Sequence, residues 1–207
     1  MKYLSKKQER ELYLPTTTPK IVNVPAQKFI SLHGVGDPNG PEFKEKMETL
    51  FPVAYGLKAA YRKYCEGKDV EFDDYVVFPL EGVWSLTEAG QKLDHLDRNE
   101  FEYDVMIRIP DFFPADLIEP SIEEIKSKKH LKLINDLEIK EYPAIEAVEV
   151  LHVGKYDDEP ASFAKMDKLV SEQGKQRASM IHREIYLSDA RRVEPERLKT
   201  VLRYEIK

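Results

Sequence analysis

The sequence has little of what marks several common classes of protein. Cys65 is the only cysteine among 207 residues, which excludes an intramolecular disulfide, and its neighbours have no zinc-site spacing. No run approaches the roughly 18 apolar residues that a membrane-spanning helix needs. We therefore expect a chain that folds without covalent crosslinks in the reducing cytoplasm and does not enter the membrane.

Positive charge is also scarce. The chain has 32 lysines and arginines against 38 acidic residues, a formal net charge of −6 and a pI near 5.5, which disfavours binding to a nucleic-acid backbone. The one basic cluster, residues 126–132, follows a helical pattern and is predicted to be a helix C-terminus. Histidines are scattered and the glycines form no phosphate-binding loop, so we expect no metal, no cofactor and no nucleic-acid partner.

Hydrophobic residues make up 42% of the chain, which is enough for a core. The sequence also contains an internal repeat. The segment from Leu151 to Gly154 resembles the segment from Leu32 to Gly36, roughly 120 residues earlier. In each half an acidic, proline-bearing loop follows, then a helix that begins near Phe43 or Phe163, then a returning strand at 75–78 or 184–187. Within the first helix, Pro52 predicts a break or kink near Phe51.

This repeat predicts an α+β fold. Two strand–helix–strand–strand units would form one curved antiparallel sheet, with the helices on one face and a ligand groove on the other. We expect repeat halves at about 20–110 and 140–207 within one domain, 20–207, preceded by a loosely held N-terminal arm, 1–19.

Glu184 and Tyr186 are the most informative pair in the sequence. They lie two residues apart in a predicted strand, so they share one face, while Ile185 and Leu187 share the other. If the apolar pair packs into the main core, the acid lines either a cavity or a solvated surface.

Several motifs together resemble the GyrI-like small-molecule-binding family. The segment from Leu151 to Tyr156 is similar to its His-x-Gly-x-Tyr turn, and Glu184-Ile185-Tyr186 is similar to its Glu-x-Tyr strand. Residues 79–84, 109–112 and 198–204 resemble a stand-alone branch of this family. The resemblance extends over about residues 21–207. The family is related to the effector domains of multidrug-responsive regulators.

The resemblance implies a pocket that binds bulky planar or cationic hydrophobic molecules. It makes Glu184 and Tyr186 candidate catalytic residues, since some stand-alone members resemble hydrolases that open the cyclopropane of DNA-alkylating compounds. The candidate ligand-binding residues are Trp84, Glu81, Tyr103, Tyr156, Phe78 and His152. For His152, a hydrogen bond to the adjacent turn is the more ordinary role, and for Trp84 a place in the core is equally compatible with the sequence.

Three functions remain open at this point. The protein could bind xenobiotics without turnover, hydrolyse cyclopropanoids, or act by protein contact as a gyrase-inhibitor-like modulator. We expect a monomer or weak homodimer, because the last strand, 201–206, could pair internally or offer an edge to a second copy.

Overall fold

The computed structural model describes residues 3–68 and 70–207, which form two compact units. The first unit contains residues 3–4, 27–78 and 86–141, and the second contains residues 5–26, 79–85 and 142–207. The segments 5–26 and 79–85 therefore belong with the C-terminal part of the chain.

The predicted α+β class is confirmed, with antiparallel strand pairing. The helices are α1 (Ser5–Gln8), α2 (Arg10–Tyr13), α3 (Pro41–Lys68), α4 (Ala115–Lys128) and α5 (Glu159–Glu172). The strands are β1 (Lys20–Val24), β2 (Gln27–Val35), β3 (Leu80–Leu86), β4 (Phe101–Ile109), β5 (Glu138–Tyr142), β6 (Ile145–Val153), β7 (His182–Tyr186) and β8 (Lys199–Glu205). In the described part of the chain, every helix is too short or too polar to cross a membrane.

The first unit places β2 between β4 and β5, with α3 and α4 packed together. Of the predicted break or kink near Phe51, a break is wrong, because α3 is one helix that contains Pro52, and a kink stays a prediction. Leu50, Val53 and Leu57 are buried on both sides of the proline. Their burial offsets the lost hydrogen bond, which costs about 3 kcal/mol. The basic residues Lys126 and Lys128 lie in the last turn of α4, as predicted.

The second unit contains a five-stranded antiparallel arrangement in the order β1-β6-β8-β7-β3. Strand β8 pairs with β6 on one side and β7 on the other, so the last strand pairs internally and offers no edge. Helix α5 contributes Met166 and Val170 to a core with Val148, Val150 and Leu202.

The internal repeat is visible in the order β2–α3–β3–β4 and β6–α5–β7–β8. Gly36 and Gly154 follow the first strand of each series with φ of 109° and 142°, a region that favours glycine. The returning strand predicted at 75–78 is wrong, since β3 begins at Leu80 and Tyr75 makes only an isolated bridge to Tyr3.

The N-terminal arm is held more firmly than expected. Leu12 and Tyr13 are buried in the second unit, and the Leu12 carbonyl accepts a hydrogen bond from Arg203 at 2.7 Å. The prediction of a loosely held arm is therefore wrong for Leu12 and Tyr13. The sequence reasoning gave weight to the proline and threonines of 15–19 and overlooked the apolar pair before them.

Candidate functional site

Three neighbouring strands of the second unit bring polar and aromatic side chains onto one face. Gly82 lies opposite Glu184, and Trp84 lies opposite His182. Leu202 lies opposite Glu184 on the other side. Residues directly opposite in an antiparallel pair point to the same face. We call the surface formed by Gly82, Trp84, His182, Glu184 and Tyr186 the Glu184 face.

The predicted alternation along β7 is confirmed. Ile185 is fully buried on the opposite face, and only 9% of Glu184 is exposed to solvent. The carboxylate therefore does not lie on a solvated strand surface, which was the alternative that the sequence left open.

A chain of hydrogen bonds crosses the Glu184 face. The indole Nε1 of Trp84 donates to the Tyr186 hydroxyl at 2.9 Å. Tyr186 is hydrogen-bonded to Glu184 in turn, and an indole N–H can only donate, so the phenol donates its own proton toward the carboxylate. His182 Nε2 lies 3.0 Å from Glu184 Oε1. Glu184 is thus oriented from two sides.

Gly82 makes room for this chain. A Cβ at this position would lie 2.5 Å from Trp84 Nε1 and 3.1 Å from the Tyr186 hydroxyl. A side chain here would separate the indole from the phenol. The glycine therefore has a packing role, with no demand for an unusual backbone angle.

Aromatic rings border the carboxylate. The ring of Tyr156 meets that of Tyr186 edge-on with centroids 6.2 Å apart, and Phe163 meets His182 at 5.0 Å. Burial, followed by the charge of Glu184, raises the pKa of Tyr186 well above its usual value. The same two causes raise the pKa of Tyr156 to about 12. Both phenols therefore keep their protons at neutral pH and can act as hydrogen-bond donors.

A second carboxyl group lies at the start of α5. Glu159 is 7% exposed, and its Oε1 has no hydrogen-bond partner among the described residues. Burial is the main cause that raises its pKa to about 9, and the charges of Glu184 and Asp157 add to it. Sequence analysis missed Glu159 because it begins a helix after an acidic loop, where an acid is ordinary.

The opposite face of the same strands carries paired charges. Arg203 donates to Glu149 Oε2 from Nε at 3.0 Å and from Nη2 at 2.8 Å. Glu81 accepts a hydrogen bond from Tyr13 at 3.1 Å and lies 3.6 Å from Arg183. The structure therefore separates Glu81 from Trp84, Glu184 and Tyr186, although the sequence grouped them.

Three other predicted ligand-binding residues have contacts of their own. Tyr103 and Phe78 are buried in the first unit, where Tyr103 packs on Phe43 with centroids 5.7 Å apart, and their part in a ligand site stays a prediction. His152 has both ring nitrogens engaged, Nδ1 with Ser162 at 2.9 Å and Nε2 with the Lys155 carbonyl at 2.8 Å. The turn-bonded role considered for His152 is confirmed.

The Glu184 face also differs in position from our expectation. We expected the groove on the side away from the helices, but the N-terminal half of α5 lies on the same face, through Ser162, Phe163 and Met166. The reason is that both faces are buried. Leu12 and Tyr13 cover the face that contains Ile185, and α5 covers the face that contains Glu184. The burial of Ile185 therefore did not indicate which face of β7 the helix packs on.

The first unit contains a small cavity of about 10 Å³. It is lined by Ile30, Ala54, Leu57, Tyr75, Val77, Arg108, Ile109 and Pro110. Its charged wall residue, Arg108, is paired with Asp111 at 2.9 Å. A cavity of this size holds about one water molecule, so it is too small for a planar organic ligand.

Comparison with known proteins identifies the family of this chain. The family described as the GyrI-like small molecule binding domain matches residues 17–207. A solved protein from Listeria innocua is 30% identical with a TM-score of 0.85, and covers 99% of both chains. A hydrolase from the same organism is 29% identical over the whole of both chains, with a TM-score of 0.82. A search of curated proteins gives no match.

A more distant structure shares the fold. The C-terminal domain of EcmrR superposes with a TM-score of 0.53 at 12% identity, over 91% of this chain and 96% of that domain. At this identity the likeness concerns architecture only. With the family match spanning nearly the whole sequence, the chain belongs to the GyrI-like small-molecule-binding domains.

Proposed function

We propose that the Glu184 face binds a planar, hydrophobic cation, with the Glu184 carboxylate as its counter-charge. One observation carries this proposal. In residues 3–68 and 70–207, Glu184 is nine-tenths buried among aromatic rings, and no lysine or arginine forms an ion pair with it. A buried carboxylate that no lysine or arginine neutralises is costly to the fold, and a cationic ligand would offset that cost.

The surrounding rings supply the rest of the recognition. Trp84, Tyr156, Tyr186 and Phe163 offer apolar contact, and an aromatic face attracts a cation by about 0.5–2 kcal/mol. The phenols keep their protons, so they add hydrogen-bond donors and no competing charge.

Matched ligands test the proposal. N-methylacridinium is a planar cation, and 9-methylanthracene is its uncharged isostere. Titration of each would be followed by quenching of Trp84, the only tryptophan. We expect Glu184→Gln to weaken binding of the cation by about tenfold or more, which is about 1.4 kcal/mol. The affinity for the isostere should change by less than about twofold.

Glu196→Gln is the control, because Glu196 lies on the surface of the same unit, paired with Lys155 at 3.1 Å. Equal affinity of the wild-type protein and Glu184→Gln for the cation would overturn the proposal. So would an equal loss for cation and isostere, because that would make Glu184 a shape-determining residue.

Hydrolysis of a cyclopropanoid is a second candidate, favoured by the likeness to hydrolases of Listeria innocua at 29% and 28% identity over nearly the whole chain. In this reaction Glu184 takes a proton from water, whose oxygen bonds to the cyclopropane carbon. The ring bond breaks, and its electron pair moves through the conjugated system to the carbonyl oxygen. That oxygen takes a proton from solvent and becomes a phenol hydroxyl, while Glu184 returns its own proton to solvent. Tyr156, whose phenol keeps its proton and whose ring contacts Tyr186, is a hydrogen-bond donor that could stabilise that oxygen.

Mass spectrometry distinguishes this candidate from binding alone. Hydrolysis adds one water to the substrate, and Glu184→Gln is expected to abolish that product. A binding protein would quench Trp84 fluorescence and return the compound unchanged.

A further inference from the structure

We propose that Glu159 is a second acidic residue of this ligand site, and that it releases its proton when a cation binds. The inference rests on the proposed function and adds to it a ligand class and a coupled proton. It starts from an oxygen atom that the fold buries without a hydrogen-bond partner.

The position of Glu159 is set by the chain around it. A single-turn 3-10 helix, Tyr156–Asp158, leads directly into α5, whose first residues are Glu159 and Pro160. The same turn places Tyr156 against Tyr186. Three residues later, Ser162 bonds to His152 and fixes this end of α5 on β6. Glu159 is therefore held by a rigid helix start.

The electrostatic surroundings of Glu159 are acidic. Its described titratable neighbours are Asp157 on the preceding turn, Glu184 and Tyr186 on β7, and Tyr156. His182 is hydrogen-bonded to Glu184, with His182 Nε2 at 3.0 Å from Glu184 Oε1. Two carboxylates that share a buried site repel each other, so one of them keeps its proton.

A cation reverses this balance. Placed near Glu184, it favours the ionised form of Glu159 as well, and the carboxyl gives up the proton that burial had retained. At pH 7.5, below the pKa of about 9, Glu159 begins in its protonated form. The cation affinity should then rise with pH, by up to about tenfold per unit for one released proton, until Glu159 ionises on its own.

Calorimetry in two buffers counts the released proton. N-methylacridinium would be titrated at pH 7.5 in phosphate and in Tris, whose ionisation enthalpies differ. We expect the wild-type protein to release roughly one proton per bound cation. We expect no release with 9-methylanthracene, and none when the cation binds Glu159→Gln.

Glu172→Gln is the matched control, because Glu172 lies in the same helix at the surface, 3.8 Å from Lys168. It should release the same proton as the wild-type protein. Since His182 is unchanged in all variants, the difference between wild type and Glu159→Gln isolates Glu159.

The outcomes separate the two proposals. Cation binding with the same enthalpy in both buffers would overturn the role of Glu159 and leave the proposed function intact. If neither compound binds, the proposed function fails and the inference fails with it. Carbon-13 NMR titration of the carboxyl groups gives an independent check, because a Glu159 signal that titrates near pH 4.5 in the free protein would also overturn the inference.

Discussion

The two faces of the sheet in the second unit treat buried acids in opposite ways. On one face Glu149 accepts two hydrogen bonds from Arg203, and Glu81 is held by Tyr13 and lies beside Arg183. On the other, Glu184 and Glu159 lie among aromatic rings, and neither forms an ion pair with lysine or arginine in the described part of the chain.

Under the proposed function, this difference separates acids that stabilise the fold from acids that bind the ligand. A buried acid whose charge is matched by a nearby arginine is part of the fold, and removing its partner damages the fold. A buried acid without such a partner is retained at a cost in stability, and a ligand is the simplest source of the missing positive charge. Burial alone does not distinguish the two kinds, since acids on both faces are buried.

We call the face that contains Glu149, Arg203, Glu81 and Arg183 the paired face. Removing one partner of an ion pair on this face should give the largest effect on stability. Arg203→Met leaves Glu149 buried without its base, and we expect a loss of about 3–5 kcal/mol in the free energy of unfolding, measured with urea. The double variant Glu149→Leu with Arg203→Met should recover most of that loss. As a control, Lys44→Gln removes an exposed pair with Glu48 at 3.5 Å and should cost less than about 0.5 kcal/mol.

The hydrogen-bond chain of the Glu184 face should be sensitive to one methyl group. Gly82→Ala places a Cβ 2.5 Å from Trp84 Nε1, so we expect a loss of about 1–3 kcal/mol from overpacking. The fluorescence maximum of Trp84 should shift as its indole loses the bond to Tyr186. Unchanged emission and stability would show that the Trp84–Tyr186 hydrogen bond is not present in solution.

An effect that depends on pH should come from Glu159. Burial and the charge of Glu184 raise its pKa in the folded protein from 4.5 to about 9, so between these values the folded state binds more protons than the unfolded state. Stability therefore falls as pH rises through this window. Glu159→Gln removes that dependence, and its stability relative to the wild-type protein should increase from pH 5 to pH 9.

A constant difference between the two proteins across that pH range would contradict the account of Glu159. The comparison needs only urea unfolding at several pH values. It is independent of any ligand.

Local patterns predicted much of this molecule. The two-residue spacing of Glu184 and Tyr186 fixed their shared face, and the repeated His-to-Gly segments located two equivalent turns at Gly36 and Gly154. These features depend on backbone geometry within a few residues, which is why the sequence suffices for them.

Other features depend on long-range packing. Alternation along β3 already places Trp84 and Glu81, three residues apart, on opposite faces, but the sequence could not show that Glu81 meets Tyr13 and Arg183 there. It could not show that Glu159 is buried, because that depends on where α5 meets the sheet. Both errors concern which partner an acid meets, a property of the folded chain.

Thermal unfolding with and without N-methylacridinium tests the central claim most directly, because a ligand that binds the folded state raises the melting temperature. We expect a clear rise for the wild-type protein and for a variant of the paired face, Glu81→Gln, provided that it folds. We expect little or no rise for Glu184→Gln. An equal rise for the wild-type protein and Glu184→Gln would contradict the claim that the acid without a lysine or arginine partner holds the ligand.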